Sequence, residues 1–251
     1  MSDRTTIDMM EVPLHTDLIF ALALIGSIAL FHLAARSSTM LWLMIGWAVL
    51  QSALGITGVY QDTEIVPPRL LLFGVFPTLV MMAITFLTPK GKAFIDRIDL
   101  RMLTQFHVVR VPVEIVLALL FHQGLVSVLM TYEGTNFDLF SGITAPIAAW
   151  IGFRSGKVNR NFLLGWNILC LLLLLNVVLT AVFSIPSPFQ KFAFDQPNVA
   201  VLHFPFNLLP ALIVPLVLYA HLIALRRLMV MGRSVDTGVG ARGRVSRGVE
   251  A

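Results

Sequence analysis

NFLLGWNILCLLLLLNVVLTAVF, residues 161–183, runs for 23 residues without one charged side chain. As an α-helix it would be about 34 Å long, at 1.5 Å per residue, and the hydrocarbon layer of a bilayer is about 30 Å thick. Its leucines are spread around the whole helical circumference, so no face is left for water. The stretch reads as a membrane span, and it sets the scale for the rest of the chain.

Six further runs have similar character: residues 14–34, 40–60, 67–88, 103–123, 139–153 and 205–228. The composition agrees with seven spans. Of 251 residues, 57% are hydrophobic and 13% charged, against about 25% charged in a typical soluble domain. We therefore expect an all-α polytopic membrane protein: one seven-helix transmembrane domain over 1–228, followed by a basic, disordered cytoplasmic tail over 229–251. No soluble nucleotide-binding or kinase module fits in the remaining loops. The acidic start, MSDRTTIDMMEVPLHTDL, lacks the positive n-region of a signal peptide, so the first apolar run reads as a retained span.

Charge gives the orientation. One set of alternate loops holds Arg36, Lys90, Lys92, Arg97, Arg101, Arg154, Lys157 and Arg160, and the C-terminal segment adds Arg226, Arg227, Arg233, Arg242, Arg244 and Arg247. The opposite loops hold Arg4, Arg69 and Lys191, together with nine acids from Asp3 to Asp195. Basic loops stay in the cytoplasm, which places the N-terminus outside, the C-terminus inside and the protein in the plasma or inner membrane. The basic residues then serve topology and attract anionic lipid head groups. They are split among several loops without interleaved aromatics, so no nucleic-acid partner is expected.

The fourth span is unusual. HVVRVPVE, residues 107–114, places His107, Arg110 and Glu114 on one edge of a helix that is otherwise oil. Arg110 and Glu114 are at i, i+4, the spacing of an intrahelical ion pair, and Glu114 falls near mid-bilayer. Pro112 between them removes a donor and crowds the carbonyl of Val108, so the helix should deform there. Asn167 and His221 fall at the depth of Arg110, and Gln51 and Thr78 at the depth of Glu114. An ionisable group inside a span is a functional candidate; a lone amide is more often a tie between helices. Asn176 and Thr180 are a further i, i+4 polar pair.

Two outer loops add candidates. Residues 130–138 offer Glu133, Asn136 and Asp138, the last placed to N-cap the fifth span. Residues 186–198 are aromatic and carry Gln190, Asp195 and Asn198; this loop is expected to fold over the mouth of the bundle. The fifth span is short and contains Gly142 and Pro146. It is either broken at a binding site or packed closely through Ser141, Ala145 and Ala149. Pro205, Pro210 and Pro215 should bend or unwind the outer half of the last span. No HxxxH pair or cysteine cluster occurs, so neither a metal nor another cofactor is expected, and the one cysteine, Cys170, reads as a small core residue.

The topology is similar to that of microbial rhodopsins, but all four lysines lie in loops and none could carry retinal within a span. It is also similar to the sugar transporters built as three helices, a linker helix and three more. The Pro-Gln dipeptide of that superfamily is absent, however, and the two halves of this chain are not alike. Three functions follow from the residues. The first is a small-molecule or ion/proton-coupled transporter that uses a buried Arg110–Glu114 pair. The second is a ligand-binding, sensory or accessory membrane module with its site in the outer loops. The third is an enzyme acting on a lipid, with Glu114 and His107 as acid and base. No nucleophile or phosphate loop supports the third, and a non-enzymatic role is preferred.

Overall fold

The computed structural model describes residues 12–245; the acidic residues 1–11 and the last six residues lie outside that range. The described residues are helical and contain no strand. The elements are α1 (Leu14–Ala35), α2 (Ser38–Ile56), α3 (Phe76–Leu87), α4 (Pro89–Arg97), α5 (Leu100–Phe106), α6 (Arg110–His122), α7 (Asp138–Gly152), α8 (Arg160–Ser184) and α9 (Val214–Val245). Among the described residues, six rods are long and apolar enough to cross a membrane: Leu14–Ala35, Ser38–Ile56, Leu70–Leu87, Leu100–His122, Arg160–Ser184 and Leu209–Met231. The remaining expected span, α7, has 15 residues and would reach only about 22 Å.

Polar caps punctuate the apolar runs. Ser37 caps α2 through Met40 N, Asp99 caps α5 through the Arg101 and Met102 amides, and Asn159 caps α8 through Phe162 N. The helix α4 went unread in the sequence, although Thr88-Pro89 carried the signal. Thr88 accepts from Gly91 N and Pro89 opens the first turn, a cap followed by a proline where no donor is needed. The last helix continues to Val245, through most of the segment expected to be a disordered tail.

The rods Leu100–His122 and Leu209–Met231 are the most buried and Leu70–Leu87 the least. Around them α1 lies along α5 and α6, α8 lies on α9, and α7 packs against α5, α6 and α8. Aromatic rings fill the centre: Phe31 meets Phe106 edge-on at 5.6 Å and stacks on Tyr219 at 5.9 Å. Pro146 lies inside an unbroken α7, and Ser141, Ala145 and Ala149 are fully buried. The short helix is therefore a closely packed one. A Cβ at Gly142 would stand 2.9 Å from Val111 Cγ2 and 3.2 Å from Arg110 Cβ, so only glycine lets α7 approach α6 this closely.

Every proline inside a span deforms its helix except Pro146. A 3-10 turn at His107–Val109 separates α5 from α6, one turn before Pro112. Single π-turns occupy Leu70–Val75 and Leu209–Ile213, just before Pro77 and Pro215. A proline cannot donate to the carbonyl four residues earlier, which frees Phe73 O and Ala211 O. Two side chains of α2, one turn apart, receive them. Gln51 Nε2 donates to Phe73 O at 3.0 Å, and Trp47 Nε1 donates to Ala211 O at 2.8 Å. Gln51 Oε1 in turn accepts from the Tyr60 hydroxyl, and Gln51 O accepts from Asn207 Nδ2.

Gln51 is thus tied to the first π-turn and to Asn207, two residues before the second, and shares no hydrogen bond with Glu114. Replacing it with Leu removes the donor to Phe73 O and the acceptor for the buried Tyr60. The expected loss is about 1–3 kcal/mol, measured as thermal unfolding in detergent. Trp47→Phe should lose a similar amount by the same route. A stability equal to that of the parent in both variants would show that water reaches these carbonyls.

Candidate functional site

The 3-10 turn and the first turn of α6 aim three polar side chains inward at mid-height. Arg110 is ten residues beyond the start of α5, about 15 Å along the rod. Its guanidinium, 3% exposed, does not pair with Glu114. Arg110 Nη1 lies 3.0 Å from Asp138 Oδ1, at the first residue of α7. Neither atom makes a hydrogen bond, so the contact is an ion pair at an unfavourable angle for one. Arg110 Nη2 lies 3.2 Å from His221 Nε2 on α9. A guanidinium only donates, so that histidine nitrogen accepts and Nδ1 carries the proton. His221 Nδ1 then donates to Asn167 Oδ1 on α8 at 3.0 Å, and Asn167 Nδ2 donates to Leu163 O at 2.8 Å.

The result is one relay across four helices: Asp138 of α7, Arg110 of α6, His221 of α9 and Asn167 of α8. His107 joins by stacking. Its ring lies on that of His221 at 4.0 Å between centroids, 20° from parallel, and Trp166 meets it edge-on at 5.5 Å. His107 Nδ1 has no hydrogen-bond partner among the described residues.

Glu114 sits one turn above Arg110. Its Oε1 accepts from Asn136 Nδ2 at 2.6 Å, while Oε2 is buried and unpartnered among the described residues. Asn136 is held in place by the loop it belongs to. Nδ2 also donates to Met130 O at 2.9 Å, and Oδ1 accepts from Asp138 N at 2.9 Å. Asn136, and not Asp138, therefore caps the backbone entering α7; Asp138 makes no side-chain cap because its carboxylate is turned to Arg110.

The sequence placed Asn136 and Asp138 at the outer surface. Both are buried, at 0% and 6% exposure. The reason is the length of α7. A 15-residue helix cannot span the bundle, so the loop before it descends into the bundle and brings Asn136 level with Glu114. Asn176 marks the depth: eight residues from the end of α8, it donates to Thr135 O at 2.9 Å, and it does not pair with Thr180.

The other outer candidates serve different ends. Gln190 folds its own loop by donating to Phe192 O and Ala193 O. Asn198 accepts from Ser127 N at 2.9 Å and ties that loop to the end of α6. Gln196, a further amide of the same loop, adds donations to Phe121 O and Val126 O. Glu133 and Asp195 are exposed and form no ion pair among the described residues. Trp166 was missed in the sequence; its position one residue before Asn167 was the available clue. Among the described residues no group of three or more His, Cys, Asp or Glu side chains could hold a metal ion.

Residues 67–229 match the model of a family described as a domain of unknown function, DUF8737. That region takes in the whole relay, Glu114, and both outer loops; it leaves out α1 and α2. No curated protein and no solved structure matches the chain.

Proposed function

We propose, from the premise that the chain belongs to the domain-of-unknown-function family DUF8737, that it is a proton-linked transporter of the cell membrane. In this reading it crosses seven times, with α7 and the buried loop before it completing the short fifth passage. The N-terminus is outside and the basic loops face the cytoplasm. A small solute or ion is the cargo, and Glu114 is the group that takes up and releases the proton.

The observation that carries this reading is the sealed core around Arg110. It contains one guanidinium and two carboxylates, Asp138 and Glu114, of which only Asp138 is in contact with the cation. The core therefore holds one acid more than its arginine balances. A proton on Glu114 makes it neutral, and loss of that proton leaves a net negative charge deep in the bundle. A charge buried without a partner is strongly unfavourable in a low-dielectric site. Release of the proton therefore favours any state in which Glu114 meets water or a cation, and this is how a protonation step biases a two-state element. In this reading the elements that move are the loop holding Asn136 and the deformed helices at the 3-10 turn and the π-turns, since such departures from α-helical geometry often mark hinges. The lipid-enzyme reading has less support. His107 and Glu114 have separate partners, the imidazole stacked on His221 and the carboxylate bonded to Asn136.

The test uses purified protein in liposomes loaded with a pH-sensitive dye, with a potassium diffusion potential imposed. Proton movement is expected for the parent and for Asp195→Ala, and is expected to be abolished in Glu114→Gln. The amide keeps an acceptor for Asn136, so this variant should fold. Equal proton movement in Glu114→Gln and parent would exclude the role assigned to Glu114. A parent that moves no protons under any imposed gradient would exclude transport of this kind.

A further inference from the structure

A second polar site lies at the opposite end of the molecule from the acidic loops, where four segments meet. Arg36 is the left-handed residue that ends α1, with φ 48°. Arg97 ends α4 and Arg101 lies in the first turn of α5. Arg227 comes from α9. These four arginines line one open cavity of about 390 Å³, together with Phe153 and Val158 from the α7–α8 connection.

Backbone and side-chain ties fix the geometry. Asp99 N donates to Ala34 O at 3.0 Å and locks the α4–α5 turn onto the end of α1. The Arg227 guanidinium donates to Ile98 O. The one acid in the cavity is Asp99, and it is already committed. One oxygen caps α5 through the Arg101 and Met102 amides, and the other lies 3.6 Å from Arg36 Nη2. Four cations against one acid leave a surplus of three positive charges. Arg97 and Arg101 are exposed and form no ion pair among the described residues.

We infer that this cavity binds the phosphodiester head group of an anionic membrane phospholipid. Guanidinium groups match phosphate oxygens in geometry and charge, and the ends of the apolar rods set the cavity at head-group height. Phe153 and Val158 give the acyl chains an apolar wall beside the charges. Basic pockets between membrane helices hold anionic head groups for these reasons. The site is independent of the Arg110 relay and of the proton-linked reading.

The experiment is native mass spectrometry of the full chain, released from nanodiscs of phosphatidylglycerol and phosphatidylcholine in equal amounts. The parent is expected to retain phosphatidylglycerol selectively. Arg97→Gln/Arg101→Gln is expected to lose retention roughly fivefold for each arginine, about twenty-five-fold together. Lys90→Gln/Lys92→Gln removes the same charge from α4 outside this cavity and is expected to retain the lipid. Equal losses in the two double variants would overturn the site in favour of diffuse surface attraction. In a second arm, delipidated protein is titrated with inorganic phosphate alone. Thermal stabilisation by phosphate equal to that by the lipid would overturn the head-group assignment. Stabilisation by the lipid only is the expected result.

Discussion

Asp138→Asn should cost the folded protein about 3–5 kcal/mol, because it leaves the Arg110 guanidinium buried with no counter-ion in contact. Among the described residues, the only other group within hydrogen-bonding distance of Arg110 is the neutral His221 ring at 3.2 Å. Replacing both partners by apolar groups, as in Arg110→Met/Asp138→Leu, should recover most of the loss, since the desolvation cost disappears along with the attraction. Reversible unfolding in detergent measures both. The same helix also supplies an alternative. Glu114 is one turn from Arg110, and with Asp138 neutral the guanidinium can turn to it. Asp138→Asn should therefore cost more in a Glu114→Gln background than alone, a coupling that a double-mutant cycle reads directly. Strict additivity of the two would show that Arg110 cannot leave its place, and that Glu114 is not its reserve.

Gly134→Ala should release the loop that seals the site. A Cβ at Gly134 would stand 2.3 Å from Val128 O and 2.8 Å from Leu129 Cα. These are backbone atoms, so no side chain can rotate to make room. The loop must shift, and Asn136 and Asp138 follow within four residues. Overpacking of this kind costs about 1–3 kcal/mol or more. The chain's single cysteine reports the position of α7, because Cys170 is fully buried against Ala145 and Ala148. We expect Cys170 of the Gly134→Ala variant to react with a maleimide much faster than that of the parent. Identical labelling and identical unfolding would mean that the loop accommodates a methyl group, and that its descent into the bundle is loosely held.

These two variants test different parts of one arrangement, and they separate what could be read early from what could not. The inner half of the relay was legible. Arg110, Asn167 and His221 were matched by counting residues from the ends of their spans, because a straight helix in a layer of fixed thickness converts sequence position into depth, and His107 was placed on the edge of Arg110 by helical phase. The deformations before Pro112 and Pro215 were legible too, since a missing N–H is a local fact. The partners of the charges were not. The i, i+4 rule pointed Arg110 at Glu114, and the ion pair in contact joins it to Asp138, 28 residues away in sequence. Spacing along one helix cannot weigh a neighbour that arrives from another element.

The sequence by itself determined the class of protein, the limits of most of its rods, and the level shared by Arg110, Asn167 and His221. Each of these follows from burial and helical rise, which act residue by residue. Only the tertiary structure decided that a 15-residue helix leaves room for its preceding loop to sink beside α6. It also decided that Asp138 and Asn136 become buried partners of Arg110 and Glu114, and that Trp47 and Gln51 receive the carbonyls freed by two prolines in other helices. The physical reason is the same in each case. An unpaired charge or carbonyl inside a bundle must find a partner, and which partner it finds depends on distances between helices that no single segment encodes.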